Sequence, residues 1–313
     1  MNEEYLRLAG KIHKEVELNT KKIIKPGLKI IDLCNFIENN IKDLTLKYCD
    51  IPQLNNGIAF PTGISINEIA AHYTPNSSNE EFINEESIYK IDFGTHINGN
   101  IVDSAFSINL NNKYKEILDA SREAVDNIIK NIGVDTCINE IGNLSHEIVS
   151  SYEFEGKTLK ALDNLCGHNI LPYKIHGGTY IYGIPNNYEN RRIREDEVLA
   201  IEIFTSNGNG TTKIDSSKES SHFMVVNEDI FKKNHNFKCK RTKELLFNIK
   251  NNYKTLPFCP RFLDYTFKKS SKVCINDLFR NGIISSHPPL IETDPLSRVA
   301  QFEETILIKD TGA

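Results

Sequence analysis

No window of the chain approaches about eighteen consecutive apolar residues, so the sequence offers no membrane-spanning helix. A basic surplus is also missing. The 313 residues carry 37 Lys and Arg against 42 Asp and Glu, a formal charge of −5, which argues against a general nucleic-acid binder. Local basic runs such as Lys238 to Lys243 are short and read as solvated turns. Paired-cysteine spacing is absent too. The seven cysteines (Cys34, Cys49, Cys137, Cys166, Cys239, Cys259 and Cys274) are odd in number and form no C-x-x-C, which disfavours a zinc ribbon or a disulfide framework and points to a reducing compartment. The first residues, MNEEYLRLAGKIHKE, are charged from the start, unlike a signal peptide, so a cytoplasmic protein is expected. No stretch has complexity low enough to be called disordered. What is left has 39% hydrophobic and 25% charged residues, the profile of an ordinary globular protein of one or two domains with a large core.

The most informative stretch is Tyr89 to Ile108, YKIDFGTHINGNIVDSAFSI. Asn98-Gly99 between apolar and β-branched residues is a strong hairpin signal, because a two-residue type I′ turn needs positive φ at both central positions. A turn centred there sets Ile97 opposite Asn100, Gly94 opposite Asp103 and Asp92 opposite Ala105. Residues that oppose one another, or lie two apart along a strand, share a face. Asp92 and Asp103 are therefore diagonal neighbours on one side, with Gly94 and Ala105 leaving room. Two carboxylates that close among apolar residues need a cation or a shared proton. A solvated hairpin tip with two exposed aspartates fits the hairpin alone at least as well.

Along the chain, helical stripes cover residues 4 to 24, 28 to 44, 112 to 132 and 138 to 152. GIAFPTG reads as a short strand before a loop holding His72, and Val198 to Phe204 and residues 299 to 308 read as further strands. KPGLKIIDLCNFIENNI and NIGVDTCINEIGNLSHEIV share a glycine turn followed by an amphipathic helix, the mark of a duplicated half or of two unrelated helices. Residues 240 to 284 read as short helices forming a compact insertion.

Glu202 sits inside VLAIEIF, apolar on both faces, so its carboxylate is expected buried and paired or metal-bound. Glu303 is similar, whereas Glu304 beside it must face the other way. His168 follows Gly167 in what reads as a glycine-flanked turn, His176 is eight residues on, and His72 lies in AAHYTP. Two Asp, two Glu and one His form an oxygen-rich set suited to manganese, iron(II) or cobalt with an open position for water.

Five segments, GIAFPTGISINEIAAHYTP, YKIDFGTHINGNIVDSAFSI, GHNILPYKIHGG, VLAIEIF and AQFEETILI, together resemble the type 2 methionine aminopeptidases, in order and over roughly residues 5 to 309. The resemblance implies an α/β (α+β) pita-bread fold, two pseudo-symmetric halves around a curved antiparallel sheet. It implies a single catalytic domain over residues 1–313, with a helical type 2 insertion at about 224–295. The implied activity is metal-dependent removal of initiator methionine, preferring a small second residue. The implied site has two divalent ions (cobalt, manganese, iron(II) or zinc) on Asp92, Asp103, His168, Glu202 and Glu303. Glu202 would also handle the proton of the attacking water. His72 and His176 would contact the substrate and the developing tetrahedral intermediate. Phe60, Ile175 and His222 would pack the methionine side chain.

The implied partners are N-termini of nascent polypeptides, with the ribosome as a further candidate and no nucleic acid or membrane. A monomer is expected, since no coiled coil is evident. Three positions depart from the family pattern. His176 is followed by GGTY, with Thr179 in a run that commonly reads alanine-glycine-lysine-threonine. Pro257 replaces a small residue, and His287 stands where a tyrosine is usual. These touch second-residue preference rather than the reaction. Two other readings share the fold: an inactive member that binds partners or RNA, and an Xaa-Pro dipeptidase.

Overall fold

The computed structural model describes residues 1–49, 55–186, 190–233, 235, 237, 239–267, 271–310 and 312. The chain begins with α1 (Glu3–Ile23), opened by Asn2, whose side chain accepts the Tyr5 N–H, and α2 (Ile30–Tyr48). Strands β1 (Asn56–Ile66) and β2 (Ile69–Ala71) precede the hairpin of β3 (Tyr89–Ile97) and β4 (Asn100–Ile108). Asn98 and Gly99 have φ of 47° and 80°, as a I′ turn requires. The register is the one the sequence pattern predicts: Ile97↔Asn100, Gly94↔Asp103, Asp92↔Ala105.

The second half repeats the plan. Helices α3 (Lys115–Asn131) and α4 (Ile138–Ser150) come first, then a small hairpin of β5 (Glu153–Phe154) and β6 (Lys157–Thr158), and β7 (Lys160–Ala161). Strands β8 (Cys166–Ile170), β9 (Tyr180–Tyr182), β10 (Val198–Ser206) and β11 (Thr212–Ile214) follow. Strand β12 (His222–Val225), helices α5 (Lys240–Asn252), α6 (Pro260–Phe267) and α7 (Lys272–Arg280), and β13 (Ile284–His287) come next. Strands β14 (Leu290–Glu292) and β15 (Val299–Leu307) close the fold. No helix among the described residues is long and apolar enough to cross a membrane.

The main sheet is antiparallel and runs β1-β3-β4-β15-β10-β8-β9, with β7 also on β10. Residues of α1 and α2 form one core with β1, β3 and β4; residues of α3 and α4 form another with β10 and β15. In both halves the residue before the second helix makes an isolated antiparallel bridge, Lys29 to Phe82 and Cys137 to Arg192. The shared glycine-turn-and-helix pattern thus has a structural counterpart.

The halves meet where β4 lies beside β15, and this seam is unusual. Its ladder pairs Glu303 with Ala105, while hydroxyl side chains supply much of the rest. Ser107 Oγ accepts the Gln301 N–H at 2.7 Å and donates to the Gln301 carbonyl at 2.8 Å. Thr305 Oγ1 does the same for Asp103, at 2.8 and 2.5 Å.

Helices α5–α7 and the β12–β13 ribbon share a separate apolar cluster, including Phe223, Leu245, Phe258 and Leu278. The basic run opens α5 rather than a turn: Lys240, Arg241 and Lys243 are exposed on the first turn of the helix, whereas Thr242 is buried and donates to Asp277. Lys238 lies outside the described residues.

His13 of α1 lies under the hairpin, stacked on Phe93 at 4.1 Å between centroids, with Nε2 2.8 Å from the Phe93 carbonyl. Burial lowers its pKa from 6.5 to about 4. Between those values the unfolded chain holds a proton that the folded chain lacks, so this group's contribution to stability is lost as pH falls from 6.5 towards 4. His13→Gln should therefore lose less unfolding free energy over that interval than the parent in urea titrations. Equal slopes would refute this account of His13.

Candidate functional site

One cross-strand row organises the site. Glu202 on β10 opposes Glu303 on β15, Glu303 opposes Ala105 on β4, and Ala105 opposes Asp92 on β3. Opposed residues share a face, so three carboxyl groups and one small residue stand side by side across four strands. Asp103 is two residues before Ala105 and joins the same face. His168 on β8 opposes Ala200, two residues before Glu202. Glu304 faces the other way and pairs with Arg122 of α3 at 2.9 Å.

His168 lies within a strand, not in the glycine-flanked turn its sequence suggests. The glycine serves close approach instead: a Cβ at Gly167 would meet the Ala200 carbonyl oxygen at 2.3 Å. Gly94 has a comparable role, since a Cβ there would lie 2.2 Å from the Phe60 ring.

The side chains converge in two groups. Ligand-type atoms of Asp103, His168 and Glu303 lie within 4.8 Å of one another, as do those of Asp92, Glu202 and Glu303. Glu303 belongs to both. His168 Nε2 is 3.5 Å from Asp103 Oδ2. Burial raises Asp92, Glu202 and Glu303 well above the usual carboxylate range, with the neighbouring negative charges adding to it, and raises Asp103 to about 7. Burial lowers His168 to about 4, so its imidazole is neutral. Asp92 Oδ1 and Glu303 Oε1 are buried without a hydrogen-bond partner. Buried acceptors in a crowd of like charges, beside a neutral imidazole, fit a hard divalent cation.

Gln301 and Thr305 flank Glu303 at two-residue spacing and were not singled out by sequence. Gln301 Nε2 donates to Glu202 Oε1 at 2.6 Å and reaches Asp92 Oδ2 at 3.4 Å. Thr305 holds the Asp103 backbone. The available signal was the strand period itself, which places both on the face of Glu303.

Above this cluster is a cavity of about 210 Å³ lined by all five residues and by His72, His176, Phe60, Ile175 and His222. All ten residues singled out from sequence therefore come together. Pro257 and His287 line it too, whereas Thr179 donates its N–H to Asn169 Oδ1. His72, just after β2, has φ of 62°, a left-handed backbone rare outside glycine. Its ring lies 5.8 Å from that of His287, and the His176 ring meets His168 edge-on at 4.5 Å. Burial lowers His72, His176 and His222 to about 3, so these rings are neutral N–H donors.

Metallopeptidase family M24 matches residues 4–310. A methionine aminopeptidase 2 of Schizosaccharomyces pombe is 39% identical over 311 residues, covering 98% of this chain and 70% of its own length. That of Komagataella phaffii is 36% identical over 307 residues, covering 97% and 67%. Among solved structures, a thermophilic Arx1 superposes with a TM-score of 0.83 at 18% identity, covering 98% of this chain and 87% of that one. A Thermotoga maritima methionine aminopeptidase gives 0.66 at 19%, covering 99% and 93%.

A cation that binds only the folded protein raises its stability, by about 2.7 kcal/mol at a hundredfold excess over Kd. Manganese(II) added to chelator-stripped protein should raise Tm by several degrees. Asp103→Ala should lose that rise. Glu304→Ala should keep it, since its partly exposed pair with Arg122 is worth at most about 1 kcal/mol. Calorimetry showing an undiminished rise in Asp103→Ala would exclude this cluster as the binding place.

Proposed function

The chain belongs to metallopeptidase family M24 and, within it, to the methionine aminopeptidase 2 group, and on that footing we propose that Asp92, Asp103, His168, Glu202 and Glu303 hold two divalent cations. Its fold is the pita-bread fold of that family, and its reaction is the metal-dependent removal of initiator methionine. The observation that carries the two-ion reading is the pair of three-residue groups sharing Glu303. Such ions, when bound, act as Lewis acids that polarise the scissile carbonyl and make water a nucleophile near neutral pH.

The chain's own groups do the rest. Glu202 takes the proton of the attacking water and passes it to the leaving amine, with Gln301 orienting its carboxyl group. Neutral His72 and His176 donate hydrogen bonds to the oxyanion as it develops. Phe60, Ile175 and His222 form the apolar wall against which the methionine thioether packs. Pro257 and His287, on the same cavity, face the second residue of the substrate and bear on its preferred size.

The separate apolar cluster of α5–α7 supports reading residues 224–295 as an insertion within one catalytic domain. We take the substrates to be nascent chains in the cytoplasm, met by a monomer, with manganese, iron(II), cobalt or zinc as the ion.

The decisive assay measures methionine release from Met-Ala-Ser after stripping and reloading with manganese, iron(II) or cobalt, alongside Xaa-Pro dipeptides. Methionine release is expected, abolished by Asp103→Ala and nearly intact in Glu304→Ala. Cleavage of Xaa-Pro peptides alone would replace the reading with a dipeptidase, and inactivity with every ion would replace it with a binding protein. Gly94→Ala displaces the Phe60 ring from the pocket and should raise KM by about tenfold, a cost typical of small misplacements. An unchanged KM would show that Phe60 does not contact the methionine side chain.

A further inference from the structure

Two of the contacts that the segment between β12 and β13 makes with the rest of the molecule fall on stretches that carry a cavity histidine. The first is Arg261 of α6. Its guanidinium is forked on Glu38 of α2: Nη1 donates to Oε2, and Nη2 to Oε1 at 2.7 Å. The same guanidinium reaches Thr74 Oγ1 at 3.2 Å and the Pro75 carbonyl at 3.4 Å. Thr74 is two residues after His72, and its N–H donates to Ser221 Oγ, which in turn lies 3.0 Å from the His72 carbonyl. Glu38 Oε1 also accepts the Thr62 N–H at 3.4 Å, next to Pro61, whose carbonyl meets His222 Nε2 at 3.3 Å. Both members of the pair are largely buried, with side-chain exposure of 10% and 5%.

The second grip is Lys254-Thr255, just after α5. Thr255 Oγ1 donates to the Tyr173 carbonyl at 2.5 Å, and Lys254 Nζ lies 3.9 Å from the centre of the Tyr173 ring. On its other side Tyr173 is fastened to the β3–β4 turn. Its N–H donates to the Gly99 carbonyl at 2.9 Å and its hydroxyl to Asn98 Oδ1 at 3.0 Å. A Cβ at Gly99 would come within 2.3 Å of the ring. Tyr173 is thus clamped between the hairpin that bears both aspartates and the insertion. Ile175 and His176 follow two and three residues later.

His72 and Tyr173 both have left-handed backbones, with φ of 62° and 58°. Such conformations persist where the surroundings over-determine them. A buried ion pair kept only for stability could be exchanged for apolar residues with little loss. Here the guanidinium also satisfies the hydroxyl and the carbonyl that follow the strained histidine.

We propose that the insertion is a positioning element: Arg261, through Glu38, Thr74 and Pro75, fixes the His72 segment, and Thr255, through Tyr173, fixes the His176 segment. This rests on the reading of those two histidines as oxyanion donors. The insertion then contributes to turnover without touching the substrate through either grip.

The test compares Thr255→Val and the paired variant Glu38→Gln/Arg261→Met with the parent, as full-length proteins loaded with manganese(II). Changing the pair together avoids leaving one buried charge alone, and Thr255→Val is nearly isosteric. With Met-Ala-Ser, well below the unfolding temperature, kcat should fall about tenfold while KM moves less than about twofold. The manganese-induced rise in Tm should match the parent's, and Thr255→Ser should restore kcat. Ring-nitrogen NMR on the same proteins reloaded with diamagnetic zinc(II) gives a readout independent of turnover: His176 signals should move in Thr255→Val, and His72 signals in the paired variant. Variants that melt earlier yet keep the parent's kcat and ring signals would overturn the proposal, because the grips would then be merely structural. If the parent releases no methionine but the ring signals still move, the oxyanion reading falls and the positioning stands. Unmoved ring signals sink the positioning whatever the activity.

Discussion

Like charges crowd at the centre of this molecule. Asp92, Asp103, Glu202 and Glu303 share one face of a sheet whose other face is packed on helices. In such surroundings each carboxylate raises the cost of ionising the next. Protons relieve the crowding in the metal-free protein: burial shifts all four carboxyl groups upward, and for Asp92, Glu202 and Glu303 the neighbouring negative charges add to the shift. Cations relieve it better, because they leave the oxygens available as ligands. The fold must therefore be stable enough to hold an arrangement that opposes itself. The apolar residues under both halves and the side-chain bonds across the seam supply that rigidity.

The same low-polarity setting acts in the opposite sense on the histidines. His72, His168, His176 and His222 are lowered by burial and stay neutral. One cavity thus combines an acidic floor with a wall of uncharged imidazoles. Neutral rings matter here, since imidazolium groups beside a cation site would repel the ions that the carboxyl groups attract.

What could be read in advance followed the range of the forces involved. The Asn98-Gly99 turn is a local signal, and it was enough to place Asp92 and Asp103 on one face in the observed register. Glu202 and Glu303 stood out because a carboxylate inside an apolar strand has few alternatives. The first four helices follow from their apolar stripes. His168 was misplaced into a turn because Gly167 has a tertiary role, the close approach to Ala200, that resembles a turn signal in sequence. The Arg261–Glu38 pair joins residues 223 positions apart and leaves no local trace. The left-handed backbone of His72 is set by its neighbours in space. Convergence of all ten site residues was expected from family resemblance rather than from spacing.

The hydroxyl-built seam has a kinetic meaning. Ser107 with Gln301 and Asp103 with Thr305 join positions 194 and 202 residues apart. Contacts of such long sequence separation form slowly, because the entropy of closing the loop is lost before the contact can repay it. Each hairpin-and-helix half can gather locally, but Glu303, which belongs to both three-residue groups, meets the Asp92–Asp103 hairpin only when the distant strands dock. Closure of the seam is thus expected late in folding, and until it closes the two three-residue groups that share Glu303 stay incomplete.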